Sequence, residues 1–134
     1  MKRFLLLTLF ASALICQAKL KVATLNPLLA DLAKQVGGQD VEVIDLMGKN
    51  GNPHTFTPSP SRLAKAKDAT IYLASGKNIE PSLDKLKSIL AGKAIVIEVG
   101  RNIPSLKISG DSAVYAWCPK HSVGALDPHG WHSI

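Results

Sequence analysis

Two histidines in this sequence follow prolines in short polar stretches, and both have the chemistry of metal ligands. His54 lies in GNPHTFTPSP, and His129 lies in DPHGW near the last residue of the sequence. Neutral imidazole is the commonest protein ligand for late first-row divalent metals, and a proline restricts the backbone in front of each ring. A single loop histidine is more often a solvated side chain, but two held together would supply half of a tetrahedral zinc site.

Two further histidines are weaker candidates for the same site. His121 lies in a long polar segment, where it is either a transient metal-capturing group or an ordinary surface side chain. His132 follows His129 by three residues, so on a helix the two rings would project from neighbouring faces. For both we expect a surface or supporting role before a role as a ligand.

Other chemistries have less support. The pair Gly37-Gly38 ends a predicted helix and does not form a phosphate-binding loop after a strand. Nothing in the sequence orients Cys118 against His121 as a nucleophile pair. Asp127 could act as a general base, although its position before Pro128 favours helix capping. A secreted zinc-dependent hydrolase with Asp127 as base is therefore the alternative to a metal-binding protein.

The elements that must position the histidines alternate between strands and helices. Apolar alternation or continuity predicts strands at residues 19–25, 41–47, 70–76 and 93–100. Helical spacing and capping residues predict helices from Pro27 to the Gly37-Gly38 pair, over 59–69 with Ser59 or Ser61 as the cap, and from Pro81 to Leu90. This alternation indicates an α/β fold with a parallel sheet flanked by helices. The nearly continuous apolar run of the fourth strand predicts that both of its faces are covered.

The predicted sheet places both histidines at one edge. His54 lies in the segment after the second strand, and His129 lies in the connection after the fourth. Ligands of open parallel sheets gather beyond the carboxyl ends of the strands. We therefore expect the two rings to meet there.

The N-terminus has the three-part plan of a secretory signal peptide, in which basic residues precede an apolar run from Phe4 to Ile15. We expect cleavage after Ala18, so that residues 1–18 are the signal peptide and residues 19–134 are a periplasmic or secreted domain. A lipid anchor on Cys16 is the less favoured alternative, because a bulky residue precedes that cysteine.

The charge and the C-terminal pattern narrow the interpretation further. The formal net charge is +6, but the basic residues are scattered lysines without the clustered stripe of a nucleic-acid binder. After a long loop from Arg101 to Leu126, Asp127-Pro128 has the features of another helix start, with few residues left to complete a helix. We therefore expect an incomplete N-terminal part of a longer protein.

Four stretches together resemble the zinc- and manganese-binding solute receptors of bacterial ABC importers. The first strand and helix of those receptors resemble KLKVATLNPLLADLAKQVGG, and their first ligand loop resembles GNPHTFTPSPSRLAKAKDAT. Their next strand and a leucine-rich helix resemble TIYLASGKNIEPSLDKL. Their second ligand motif resembles LDPHGW.

The resemblance implies the truncated N-terminal lobe of a two-lobe receptor that holds a divalent metal in its cleft. His54 and His129 would be the ligands in this lobe, with His121 and His132 as additional candidates. The third and fourth ligands would come from a second lobe that this sequence does not contain. The resemblance also implies a monomeric protein without enzymatic activity, which delivers its metal to the membrane permease of an ABC importer. Zinc is favoured over manganese because nitrogen ligands bind zinc more tightly.

Overall fold

The fold is an α/β arrangement around a four-stranded parallel sheet. The computed structural model describes residues 18–108 and 124–130. Within these residues the strands are β1 (Leu20–Thr24), β2 (Val41–Asp45), β3 (Ile71–Ala74) and β4 (Ile95–Glu98), and the α-helices are α1 (Pro27–Gly37), α2 (Pro60–Lys65) and α3 (Leu83–Leu90). A short 3₁₀ turn, Gly38–Asp40, follows α1. The predicted fold class is confirmed, and the element ends differ from the prediction by a few residues.

The strand order, β2-β1-β3-β4, brings all four carboxyl ends to one edge of the sheet. The last residue of β1, Thr24, is level with Asp45 of β2 and with Leu73 of β3. Ala74 of β3 is in turn level with Glu98, the last residue of β4. We call this edge, formed by the carboxyl ends of β1 to β4, the rim.

Helix α1 begins and ends where the sequence predicts. The Asn26 side chain accepts a hydrogen bond from the backbone N–H of Leu28 at 2.9 Å, and Pro27 occupies the first turn, where its missing N–H costs nothing. Gly38, at φ 52°, terminates the helix in a conformation that glycine adopts without strain. Ser59 caps α2 in the same way through the N–H of Arg62.

The main core lies against one face of the sheet. Tyr72 of β3 is only 2% exposed, and its hydroxyl donates a hydrogen bond to the carbonyl of Ala66 at 2.8 Å. The other buried members of this cluster are Ala23, Leu25, Leu46, Ala66, Ala69, Ala74, Leu83 and Leu86. Their burial fixes the strands and, with them, the position of the rim.

The other face of the sheet is covered unevenly within the described residues. Helix α1 packs over β1 and β2. On β4, Ile95 is 65% exposed and Ile97 is 43% exposed. The prediction that the fourth strand is covered on both faces is therefore wrong for the described part of the chain, because β4 is an edge strand and α1 lies over β1 and β2.

None of the helices described here is both long enough and apolar enough to cross a membrane. Residues 1–17, which carry all of the predicted signal peptide except Ala18, lie outside the described residues.

Candidate metal centre

The structure brings His54 and His129 together at the rim. Their Nε2 atoms are 3.2 Å apart, although 75 positions separate the residues in the chain. The ring centroids are 5.3 Å apart, and the ring planes are inclined by 58°. Two nitrogens bound to one tetrahedral zinc ion, each at roughly 2.0–2.1 Å from it, would be about 3.3 Å apart. The separation of the two Nε2 atoms therefore suits two ligands of a single ion.

The segment that carries His54 turns immediately after β2. The carboxylate of Asp45 accepts hydrogen bonds from the backbone N–H groups of Met47 and Gly48, at 2.9 and 3.0 Å. Gly51 then passes so close to Met47 that an added Cβ would lie 2.0 Å from its Cγ. These contacts direct the backbone back over the rim.

The same segment is also tied to its surroundings close to the ring. Asn52 Oδ1 accepts a hydrogen bond from the backbone N–H of His54 at 3.0 Å. The guanidinium of Arg62, in α2, donates to the carbonyl oxygens of Leu46 and Met47, directly after β2. Helix α2 thus fastens the start of the loop from which His54 projects.

His129 is held by a short antiparallel pairing that the sequence did not predict. The segment 106–108 pairs with the segment 124–127, through an isolated bridge between Lys107 and Leu126. The N–H of Asp127 donates to the carbonyl of Leu106 at 2.8 Å, and the N–H of Ile108 donates to the carbonyl of Ala125 at 2.9 Å. The described ends of the predicted long loop are therefore ordered against each other beside the sheet.

Asp127 has a part in the site that sequence reasoning missed. Its Oδ1 accepts from the backbone N–H of His129 at 2.9 Å, which agrees with the predicted capping role. The same oxygen lies 2.7 Å from Nδ1 of the His129 ring. A proton on Nδ1 leaves the lone pair of a neutral imidazole on Nε2, the atom that faces His54. The spacing of an aspartate two residues before the histidine was the available signal for this contact.

The other candidate ligands fall outside the described residues. They are His121 and His132, and Cys118 also lies outside the described residues. Within residues 18–108 and 124–130, no group of three or more histidine, cysteine, aspartate or glutamate side chains is arranged to hold a metal ion. In the described part of the chain, the two imidazoles would therefore supply only half of the ligands of a tetrahedral ion.

The chain also matches a family of known proteins. Residues 22–134 match the family described as ZnuA, zinc-uptake complex component A, periplasmic. The chain belongs to this family. It is 28% identical over 116 residues to the metal ABC transporter substrate-binding lipoprotein FimA of Streptococcus parasanguinis, an alignment that covers 87% of this chain and 37% of FimA. Over the same number of residues it is 28% identical to the manganese ABC transporter substrate-binding lipoprotein PsaA of Streptococcus pneumoniae, covering 87% of this chain and 36% of PsaA.

The solved structures include a relative named for zinc. The periplasmic zinc-binding protein TroA of Treponema pallidum superposes with a TM-score of 0.66 at 27% identity, over 85% of this chain and 38% of TroA. The chain thus spans little more than a third of the length of the relatives that it matches. Family membership confirms the resemblance seen in the sequence.

Two of the sequence-based expectations change with these comparisons. The relatives are substrate-binding receptors and not enzymes, so the zinc-dependent hydrolase has no support. FimA and PsaA are both named as lipoproteins. The expectation that a lipid anchor on Cys16 is the less favoured alternative therefore gains no support, and Cys16 itself lies outside the described residues.

Proposed function

We propose that this chain provides the N-terminal lobe, residues 19–134, of an extracytoplasmic receptor that binds a divalent transition metal through His54 and His129. The observation that carries the proposal is the 3.2 Å separation of the two Nε2 atoms, which suits a single tetrahedral ion. The carboxylate of Asp127 supports it, because an acceptor on the second ring nitrogen is the usual partner of a metal-binding histidine. His121 and His132 are additional candidates for the ligand set.

Zinc is the metal that we propose as the cargo. Both candidate ligands in the described residues are imidazole nitrogens, and such ligands bind zinc more tightly than manganese in the general order of divalent metal affinities. The names of the relatives do not decide between the two metals, since PsaA is named for manganese and TroA for zinc. The preference for zinc therefore rests on the nature of the donor atoms.

The complete receptor would act by binding and release, with no bond made or broken in a substrate. We propose that it is a monomer which takes up the ion outside the cytoplasmic membrane and presents it to the permease of an ABC importer. Residues 1–18 would direct export, either as a cleaved signal peptide or through a lipid on Cys16. Mass spectrometry of the exported chain separates these two routes, because cleavage after Ala18 removes Cys16, whereas lipidation retains it.

Isothermal titration of the metal-free chain with zinc tests the proposed site. We expect one zinc ion per chain, bound weakly because the described ligands form half of a shell. His54→Ala and His129→Ala should each lower the affinity at least about tenfold, since a two-ligand site loses half of its donors. Manganese should bind more weakly than zinc to the unmodified chain.

Two controls make the titration decisive. Thermal unfolding of each metal-free variant shows whether the fold has survived the substitution. His121→Ala and His132→Ala, made separately, show whether either ring completes the ligand set. Zinc binding that is unchanged when His54 and His129 are both replaced by alanine would refute the proposal.

A further inference from the structure

Three consecutive residues after β3 adopt left-handed backbone conformations. Gly76, Lys77 and Asn78 have φ values of 80°, 54° and 62°. Glycine and asparagine adopt this region readily, whereas a lysine is disfavoured there because its Cβ approaches the following carbonyl oxygen. Lys77 therefore keeps this conformation against its own preference, and its surroundings must compensate.

A buried carboxylate stabilises this turn. Glu80 is only 3% exposed, and its two carboxylate oxygens accept hydrogen bonds from the backbone N–H groups of Ser75 and Gly76, at 2.6 and 3.0 Å. Ser75 is joined in turn to the start of α1, because the Asn26 side chain donates to its hydroxyl at 3.2 Å. The turn is thus fixed to the rim at its first residues.

The turn directs the Lys77 side chain towards the segment that leads to His129. Its ammonium donates to the carbonyl oxygen of Ile103 and to the hydroxyl of Ser105, which lie 26 and 28 residues further along the chain. The pairing that holds Asp127 begins directly after Ser105, where the carbonyl of Leu106 accepts the N–H of Asp127.

Ile103 also touches the histidine segment from its other end. A Cβ added to Gly130 would lie 3.0 Å from the Cγ2 atom of Ile103, so the residue after His129 packs closely on the residue whose carbonyl Lys77 binds. The lysine therefore holds a piece of chain that contacts the His129 segment both before and after the ring. The Lys77 side chain is half-buried, and both of its acceptors lie in this one segment.

We propose that Lys77 is a positioning residue for His129: its ammonium anchors the segment 103–108 to the rim, and that segment sets the place of the ring. Only the expected effect of Lys77 on metal affinity rests on the proposed function. The anchoring itself is independent of any metal.

Lys77→Met tests the anchor because it keeps most of the side-chain length and removes the ammonium. In the metal-free chain, we expect amide hydrogen exchange of Asp127 to become at least about tenfold faster, since its bond to Leu106 opens more often. Exchange of Leu25, whose amide is bonded to the carbonyl of Leu73 between β1 and β3, should not change. In the zinc titration, affinity should fall roughly three- to tenfold, less than for a group that contacts the ring directly.

A matched control and a mutant background separate positioning from other effects. Lys93→Met removes the same charge from an exposed site before β4, at the opposite edge of the sheet, and should leave both measurements unchanged. Lys77→Met should still weaken zinc binding when His54 is already alanine, but it should have no further effect when His129 is already alanine. Ser105→Ala, which removes one acceptor, should show the same changes to a smaller degree and serves if Lys77→Met does not fold.

Unchanged exchange at Asp127 in Lys77→Met would overturn the inference. So would a loss of zinc affinity of the same size in the His129→Ala background as in the unmodified chain. If the exchange changes as expected while the unmodified chain binds no zinc, the anchor stands and the proposed function fails.

Discussion

A single carboxylate oxygen of Asp127 accepts hydrogen bonds from both the backbone N–H and the ring Nδ1 of His129, at 2.9 and 2.7 Å. The first bond fixes the backbone directly before the ring, and the second fixes the orientation and the protonated nitrogen of the ring. Because the same atom makes both, the local backbone conformation and the direction of the Nε2 lone pair are set together. This explains how a segment outside the regular elements can present a ring with defined geometry.

Asp127→Ala should therefore weaken zinc binding by about 10–100-fold, the usual effect of removing the partner of a ligand histidine. Asp127→Asn should cost less, because its amide oxygen can still accept from the backbone N–H and from Nδ1. Competition with a chromophoric zinc chelator measures both variants, and circular dichroism of the metal-free chains confirms the fold. Equal affinity in the alanine variant and the unmodified chain would show that Asp127 only caps the backbone.

Because Tyr72 is buried, the stability of the fold should change with pH in the alkaline range. Desolvation raises the pKa of Tyr72 above its ordinary value of 10.0. Between that value and the higher pKa of the folded state, the unfolded chain releases the phenolic proton and the folded chain retains it. The free energy of unfolding should therefore fall as pH rises through this range. Urea unfolding at a series of pH values measures the effect.

Tyr72→Phe is the matched variant for that measurement. It should lower stability near neutral pH by about 0.5–1.5 kcal/mol, because the hydrogen bond to the carbonyl of Ala66 is lost. Lysines also titrate in alkaline solution. The informative quantity is therefore the difference in the free energy of unfolding between the unmodified chain and Tyr72→Phe. That difference should shrink above pH 10, and a constant difference would contradict the assignment to Tyr72.

The sequence predicted the parts of this fold that depend on local pattern. The caps Asn26 and Ser59 and the stop at Gly38 are recognisable because each relies on side chains or glycines next to the helix end. The meeting of His54 and His129 followed from a topological rule, since both segments leave carboxyl ends of parallel strands. In these cases residue type and position in the chain carry the information.

The features that the sequence did not predict depend on long-range contacts. An apolar run such as that of β4 does not show whether one or both faces of the strand are covered. The position of β4 at the edge of the sheet follows from the strand order, which depends on contacts between distant residues. The hydrogen bonds from Lys77 to Ile103 and Ser105 join residues more than 25 positions apart. In the sequence, Lys77 has no feature that distinguishes it from a lysine on the surface. The sequence did not predict the contact of Asp127 with the ring of His129, because helix capping was sufficient to account for an aspartate at that position.

The close approach of Gly51 to Met47 predicts a packing conflict beside His54. In Gly51→Ala the new methyl group would lie 2.0 Å from the Cγ atom of Met47, which is only 4% exposed. We expect a loss of about 1–3 kcal/mol of stability, as for overpacking elsewhere, and weaker zinc binding as the His54 segment shifts. In a Met47→Ala background, the same substitution should cost less by about 0.5–3 kcal/mol, because the conflict is removed. Urea unfolding of the four chains gives this coupling, and additive costs would exclude the contact as the cause.

The uncovered face of β4 predicts how the isolated chain behaves in solution. Ile95 and Ile97 expose 65% and 43% of their surface on an edge strand, and exposed apolar edges favour association between chains. Replacing both by threonine keeps the β-branched shape and should reduce the concentration-dependent growth in light scattering, while the free energy of unfolding changes by less than about 1 kcal/mol. Leu86→Ala, in the buried cluster on the other face, should instead cost about 2–5 kcal/mol and increase association by exposing the core. If the double threonine variant associates as strongly as the unmodified chain, the contact between copies lies elsewhere on the surface.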